Sequence, residues 1–93
     1  MQSVLALFTC FNRREKTRQA IQSLVAGNPD IRFTFLVVDD GSTDGTENML
    51  QTEPFGAEVR VLKGDGSLFY SRGMGLGMSA LLESKEEFDY LLM

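Results

Sequence analysis

Two adjacent carboxylates, Asp39 and Asp40, close the apolar run FLVVDD, and a third, Asp44, follows inside the turn-rich GSTDG. Carboxylates placed there can bind a cation, accept hydrogen bonds from a ligand, or start a helix. Asp44 reads as a helix cap. Asp39 and Asp40 admit two readings. They can turn the chain, although a turn needs only one carboxylate and two neighbours repel. They can also accept hydrogen bonds from a ribose hydroxyl or a base N–H, as acidic residues do at the strand ends of nucleotide-binding sheets.

The spacing Asp40-Gly-Ser42-Thr-Asp44-Gly45 is that of the first half of a calcium-binding loop. Such a loop requires an incoming helix and a bidentate glutamate at its twelfth position. Here a strand comes in and the position is Gln51, so that reading is set aside. A second segment, TCFNRR, places Thr9 and Phe11 on one side of the pleat at the end of an apolar run. Phe11 offers either a stacking face for a planar ring or a core side chain. Asn12 is an expected N-cap, with Glu15 as its capping-box partner. Arg13 and Arg14 stand at a helix N-terminus, against the dipole. That position suits a bound phosphate or plain solvent exposure. A third segment, KGDGSLFYSRGMGLG, holds Gly64, Gly66, Gly73, Gly75 and Gly77. Such a run suggests backbone that something must approach closely, yet its spacing fits no dinucleotide or P-loop fingerprint.

Several chemistries are excluded. The chain has no histidine and one cysteine, Cys10. Ser-His and Cys-His nucleophile pairs are therefore absent, as are disulfides within the chain and cysteine-based zinc sites. Cys10 reads as a small buried hydrophobe. The net charge of −4 argues against nucleic acid or anionic membrane as a partner. No apolar run reaches the roughly 18 residues of a membrane span. No basic region precedes the first apolar stretch, so no signal peptide is expected and the chain reads as cytoplasmic.

The elements that must position these groups alternate. Residues 3–9 form an apolar run of strand length whose faces both look buried. A helix follows, with Thr17, Ala20, Ile21 and Leu24 on one face, and Gly27-Asn28-Pro29 ends it. A second strand spans Phe33 to Asp39. The next helix starts near Asp44, with Thr46, Met49 and Leu50 inward. Glu58 to Leu62 is a more polar strand, expected near a sheet edge. Residues 70–85 read as a helix with Met74, Met78, Leu81 and Leu82 inward, weakened by glycine at its start. FDYLLM reads as a final buried strand. The order β-α-β-α-β-α-β implies an α/β fold, a three-layer Rossmann-like parallel sheet, in one nucleotide-binding domain over 1–93. In such sheets ligands bind beyond the carboxyl ends of the strands, where TCFNR, DDGSTD and KGDGS all fall.

Together the segments resemble the inverting family 2 glycosyltransferases of the GT-A fold. VLALFTCFNR is similar to that family's first strand, usually ending in Thr-Tyr-Asn-Arg. FLVVDDGSTDGT is close to its most recognisable signature. GSLFYSRGMGLGMSALL resembles its Gly…Ala-Arg-Asn-x-Gly segment, with Arg72, Gly73 and Gly75 in the Arg, Asn and final Gly positions. The chain departs from the pattern at Phe11 for tyrosine, at Gly73 for asparagine, and in one extra residue between Gly66 and Arg72. The resemblance implies the N-terminal half of a GT-A fold. It implies that Thr9, Phe11 and Asp39 meet the base of a nucleoside-diphosphate sugar. Asp40 would meet the base or ribose and Arg72 the nucleotide or its phosphates, with Asn12, Arg13 and Gly66 completing the pocket. It also implies a divalent cation, Mg or Mn, held in the intact enzyme by an Asp-x-Asp motif that follows the strand FDYLLM. The expected chain is thus a donor-binding portion cut before the metal motif and the catalytic base. It would be inactive alone, hold no cation, and belong to an enzyme of polysaccharide or glycoconjugate synthesis.

A reading of another class is a standalone acidic-pocket interaction or receiver-like module. The chain is too short to supply the later strands a receiver needs. The exposed strand end DYLLM adds a further expectation, a homodimer formed by strand or helix exchange.

Overall fold

The computed structural model describes residues 2–64, 66, 69–84 and 88–92. They form β1 (Gln2–Cys10), α1 (Arg14–Gly27), β2 (Ile31–Asp39), α2 (Thr46–Thr52), β3 (Glu58–Lys63), α3 (Phe69–Ser84) and β4 (Tyr90–Leu92). The four strands make one sheet in the order β3-β2-β1-β4. All three pairings are parallel. Residue 85 of the expected helix and residue 93 of the expected last strand lie outside the described residues, as do the side chains of Leu81 and Leu82, expected to face inward.

Strand β1 is apolar from Val4 to Phe8 because that stretch lies at the centre of three layers. Val4 and Ala6 face one side with Phe33, Phe35 and Val37 of β2, and there meet Ile21 of α1 and Met49 and Leu50 of α2. Leu5 and Leu7 face the other side with Leu36 and Val38, and meet Met74 of α3. Right-handed crossovers account for this division. The chain moves outward from β1 to β2 to β3, so α1 and α2 cover one face. It then returns across the sheet to β4 and lays α3 on the other. Strand order therefore reverses between β1 and β4.

Two expectations are corrected. Ala20 is exposed, and the buried residues of α1 are Thr17 and Ile21. Strand β4 is not buried: Tyr90, Leu91 and Leu92 are 58%, 45% and 44% exposed. It is an edge strand paired on one side with β1, and no described residue pairs with its other side. The polar strand β3 does lie at the opposite edge, as its alternation predicts.

Gly77 of α3 has a packing reason. A Cβ on Gly77 would stand 2.4 Å from Cδ1 of Leu7, which is buried under α3. The close approach that the glycine run suggests is thus made here by the strand beneath. Exposed Gly75 has nothing within 4 Å of such a Cβ. Gly77→Ala is expected to destabilise by about 1–2 kcal/mol, because overpacking outweighs alanine's better helix propensity. Gly75→Ala is expected to stabilise by about 0.5–1 kcal/mol. Urea unfolding of the two variants beside the parent measures both signs.

Candidate functional site

The parallel register brings Cys10, Asp39 and Lys63 level at the carboxyl edge of the sheet. Two bonds carry the ladder slightly further. Asp40 N–H donates to Cys10 C=O at 2.9 Å, and Gly64 N–H donates to Asp39 C=O at 2.7 Å. Past this level the chain leaves the sheet in three places: residues 11–13, residues 40–45, and the stretch from Gly64 toward α3.

Asp39 and Asp40 are 3% and 7% exposed. Oδ1 of Asp39 accepts from Ser42 N–H at 3.1 Å, which closes a turn. The Cys10 thiol lies 4.0 Å from the same oxygen. Burial, and then the charge of Asp39, push the Cys10 thiol up to about 12. At neutral pH it therefore keeps its proton and donates, and it is no nucleophile. Oδ1 of Asp40 accepts from Gly66 N–H at 2.9 Å. Gly66 sits at φ +96°, a left-handed conformation that glycine adopts without a Cβ penalty. The two carboxylates thus divide their work. One folds its own loop and the other reaches across to the third loop.

Phe11 follows the last residue of β1 and is 53% exposed. Of its two open readings the core side chain is excluded, and a ring face is left to solvent. Thr9 is half-buried, and Arg13 and Arg72 are exposed. Arg72 lies in the first turn of α3. A depression of about 550 Å³ beside this edge is lined by Asn12, Arg13, Arg14, Glu15, Lys16 and Asp44. A groove of about 540 Å³ at the amino end of the sheet, around Asn28, Arg32, Gly56 and Arg60, lies at the far ends of the strands from Asp39 and Asp40.

The capping of α1 differs from expectation. Asn12 is not its N-cap; that position is Arg13, with no side-chain cap bond. Asn12 lies at φ +49°, away from the extended conformation an N-cap uses. Its Oδ1 instead accepts from Thr43 N–H at 2.8 Å, and its N–H donates to Ser42 Oγ at 2.9 Å. Glu15 pairs with Arg18 at 2.6 Å rather than closing a capping box. The first amide of α1, Arg14 N–H, donates to Asp44 Oδ2 at 3.1 Å. Asp44 also accepts from Thr46 N–H at 3.1 Å through Oδ1, and from the Thr46 hydroxyl. The cap expected at Asp44 is corrected: the N-cap of α2 is Gly45, with no side-chain cap bond, and the role of Asp44, one residue earlier, is instead to accept from the first amide of both helices. Nothing local announces it, because its second partner is 30 residues away.

The Thr46 hydroxyl and the backbone amides hold the Asp44 carboxyl below its ordinary range. A carboxylate with a depressed folded pKa stabilises fully above its unfolded pKa and loses that contribution as pH falls through the folded value. The stability gap between the parent and Asp44→Ala is therefore expected to be constant near neutrality and to narrow below about pH 4. Thermal melts of both chains from pH 7 to pH 2.5 measure it.

Among the described residues no group of three or more His, Cys, Asp or Glu is placed to hold a metal ion. No helix among them is long and apolar enough to cross a membrane.

The family model described as Glycosyl transferase family 2 matches residues 6–81. Those residues run from β1 through α3, and they include every residue placed above at the carboxyl edge. Neither a curated protein nor a solved structure matches the chain.

Proposed function

The chain belongs to glycosyl transferase family 2, and from that membership we propose that its carboxyl edge binds the nucleotide of an activated sugar donor. The observation that carries the reading is the exposed Phe11 ring on the same edge as two buried carboxylates. The ring supplies a stacking face worth about 1–3 kcal/mol per base. Asp39 accepts from a base N–H through the oxygen not used by Ser42, and Asp40 meets the base or the ribose. Thr9, Asn12, Arg13 and Gly66 complete the pocket wall, and Arg72 reaches the phosphates. The reaction served is transfer of a sugar from a nucleoside diphosphate to an acceptor hydroxyl, as in polysaccharide or glycoconjugate synthesis. To this chain we assign donor binding without turnover.

The test is saturation-transfer NMR on the chain with uridine, guanosine and adenosine diphosphates, against ribose 5-phosphate and pyrophosphate. Strongest saturation on the base protons of one nucleotide supports the reading. Equal saturation of ribose 5-phosphate, or none on any nucleotide, would sink it.

The proposal extends to a homodimer. The exposed residues of β4 leave an apolar strand at the edge of the sheet, and such edges pair with one another. Light scattering at micromolar concentration is expected to give twice the chain mass. A monomer mass contradicts it.

A further inference from the structure

The hydrogen-bonded register of β1 on β2 ends at Cys10 and Asp39. Beyond it a single ladder bond continues, Asp40 N–H to Cys10 C=O, and past that bond no ladder fixes the distance between residues 11–13 and 41–45, although the Phe11 ring lies on the first loop and Asp40 opens the second. That distance is set by a latch. Asn12 N–H donates to Ser42 Oγ, Thr43 N–H donates to Asn12 Oδ1, and Arg14 N–H donates to Asp44 Oδ2. Asp44 anchors its own loop at the same time, through Thr46 N–H. One exposed carboxylate therefore ties the start of α1 to the start of α2. Asn12 lies in the left-handed region, which asparagine tolerates better than other non-glycine residues, and that conformation aims its side chain and its amide at the second loop.

We propose that Asp44 is a positioning residue of the nucleotide site: by holding the first amides of α1 and α2 on one carboxylate, it fixes the spacing between the Phe11 loop and the Asp40 loop. The inference rests on the nucleotide reading given above. A ligand gripped from both loops needs that spacing set before it arrives, and loss of preorganisation appears as lost affinity. The strands need no such help, since nine register pairs already join β1 to β2. Asp44 is thus expected to matter more for binding than for folding.

Three variants separate the two roles. Asp44→Ala removes both holds. Asp44→Ser keeps one acceptor oxygen for Thr46 N–H, but its single oxygen on a shorter side chain cannot serve Arg14 as well. Asn28→Ala removes a bond at the far end of α1, where Asn28 Nδ2 donates to Leu24 C=O at 2.9 Å. Amide exchange at Arg14 and Thr43 and the dissociation constants for uridine, guanosine and adenosine diphosphates are then measured by NMR on the folded chains. In Asp44→Ala and Asp44→Ser, exchange at Arg14 is expected to quicken and the dissociation constant to rise about tenfold. Asn28→Ala is expected to lower the melting temperature and leave binding unchanged. Parent-like affinity in Asp44→Ser overturns the positioning role. Unchanged exchange at Arg14 and Thr43 in Asp44→Ala overturns the latch and leaves the nucleotide reading standing. A parent chain that binds none of the uridine, guanosine and adenosine diphosphates overturns that reading, and the positioning role with it.

Discussion

Phe35→Ala is expected to destabilise the domain by about 3–5 kcal/mol, the range for deleting a buried aromatic ring. Phe35 is fully buried on the face of the sheet covered by α1 and α2. It stacks on Phe33 with centroids 5.3 Å apart, and the edge of Phe8 meets it at 6.4 Å. Removing the ring forfeits its burial and leaves two aromatic neighbours facing a void. A domain of this size has about 5–15 kcal/mol in total, so the variant stands near the limit of folding. Urea denaturation should show a lower midpoint with an unchanged slope. A loss below about 1 kcal/mol would mean that the layer closes over the gap. A close-packed layer around Phe35 would then be contradicted.

Asp39→Asn carries the second large effect, on binding rather than folding. The amide oxygen of asparagine can still accept from Ser42 N–H, the bond that closes the turn after β2. The negative charge is lost, and so is one of the two carboxylate oxygens that accept hydrogen bonds. The side-chain NH₂ faces the donor N–H expected of a base. Nucleotide affinity is therefore expected to fall at least about tenfold, since a buried donor left unpaired costs about 1–3 kcal/mol. The melting temperature should change little. Isothermal titration on the variant and the parent, with thermal melts of both, separates the outcomes. Equal affinity in the two chains would reduce Asp39 to a turn residue.

The fold was legible where burial on both faces writes a continuous apolar run. Leu5 and Leu7 serve one layer, Val4 and Ala6 the other, and the unbroken run from Val4 to Leu7 reports both. It was less legible where burial depends on a neighbour. Tyr90, Leu91 and Leu92 have the composition of a core strand, but composition cannot say whether the sheet supplies a strand on each side. Gly77 was legible as a close approach, but its sequence neighbours do not reveal that the approaching atom is Leu7.

At the candidate site, the pair Asp39-Asp40 stood out because charge ends an apolar strand abruptly. Their internal bonds did not stand out. Ser42 lies close to Asp39 along the chain, but Gly66 is 26 residues from Asp40. Asn12 was misassigned for the same reason. Its type and its distance to Glu15 satisfy a local capping rule, while its real partners, Ser42 and Thr43, come from the next loop of the fold. Local rules singled out these residues one by one. The parallel register then decided which of them meet.

The most direct test of donor binding at the carboxyl edge is a ¹⁵N–¹H correlation spectrum of the chain titrated with a nucleoside diphosphate. The account predicts saturable shifts at the amides of Phe11, Asn12, Asp40 and Gly66, with the amino-end groove around Asn28, Arg32 and Gly56 unmoved. Shifts confined to that groove, or none at millimolar nucleotide, would contradict it.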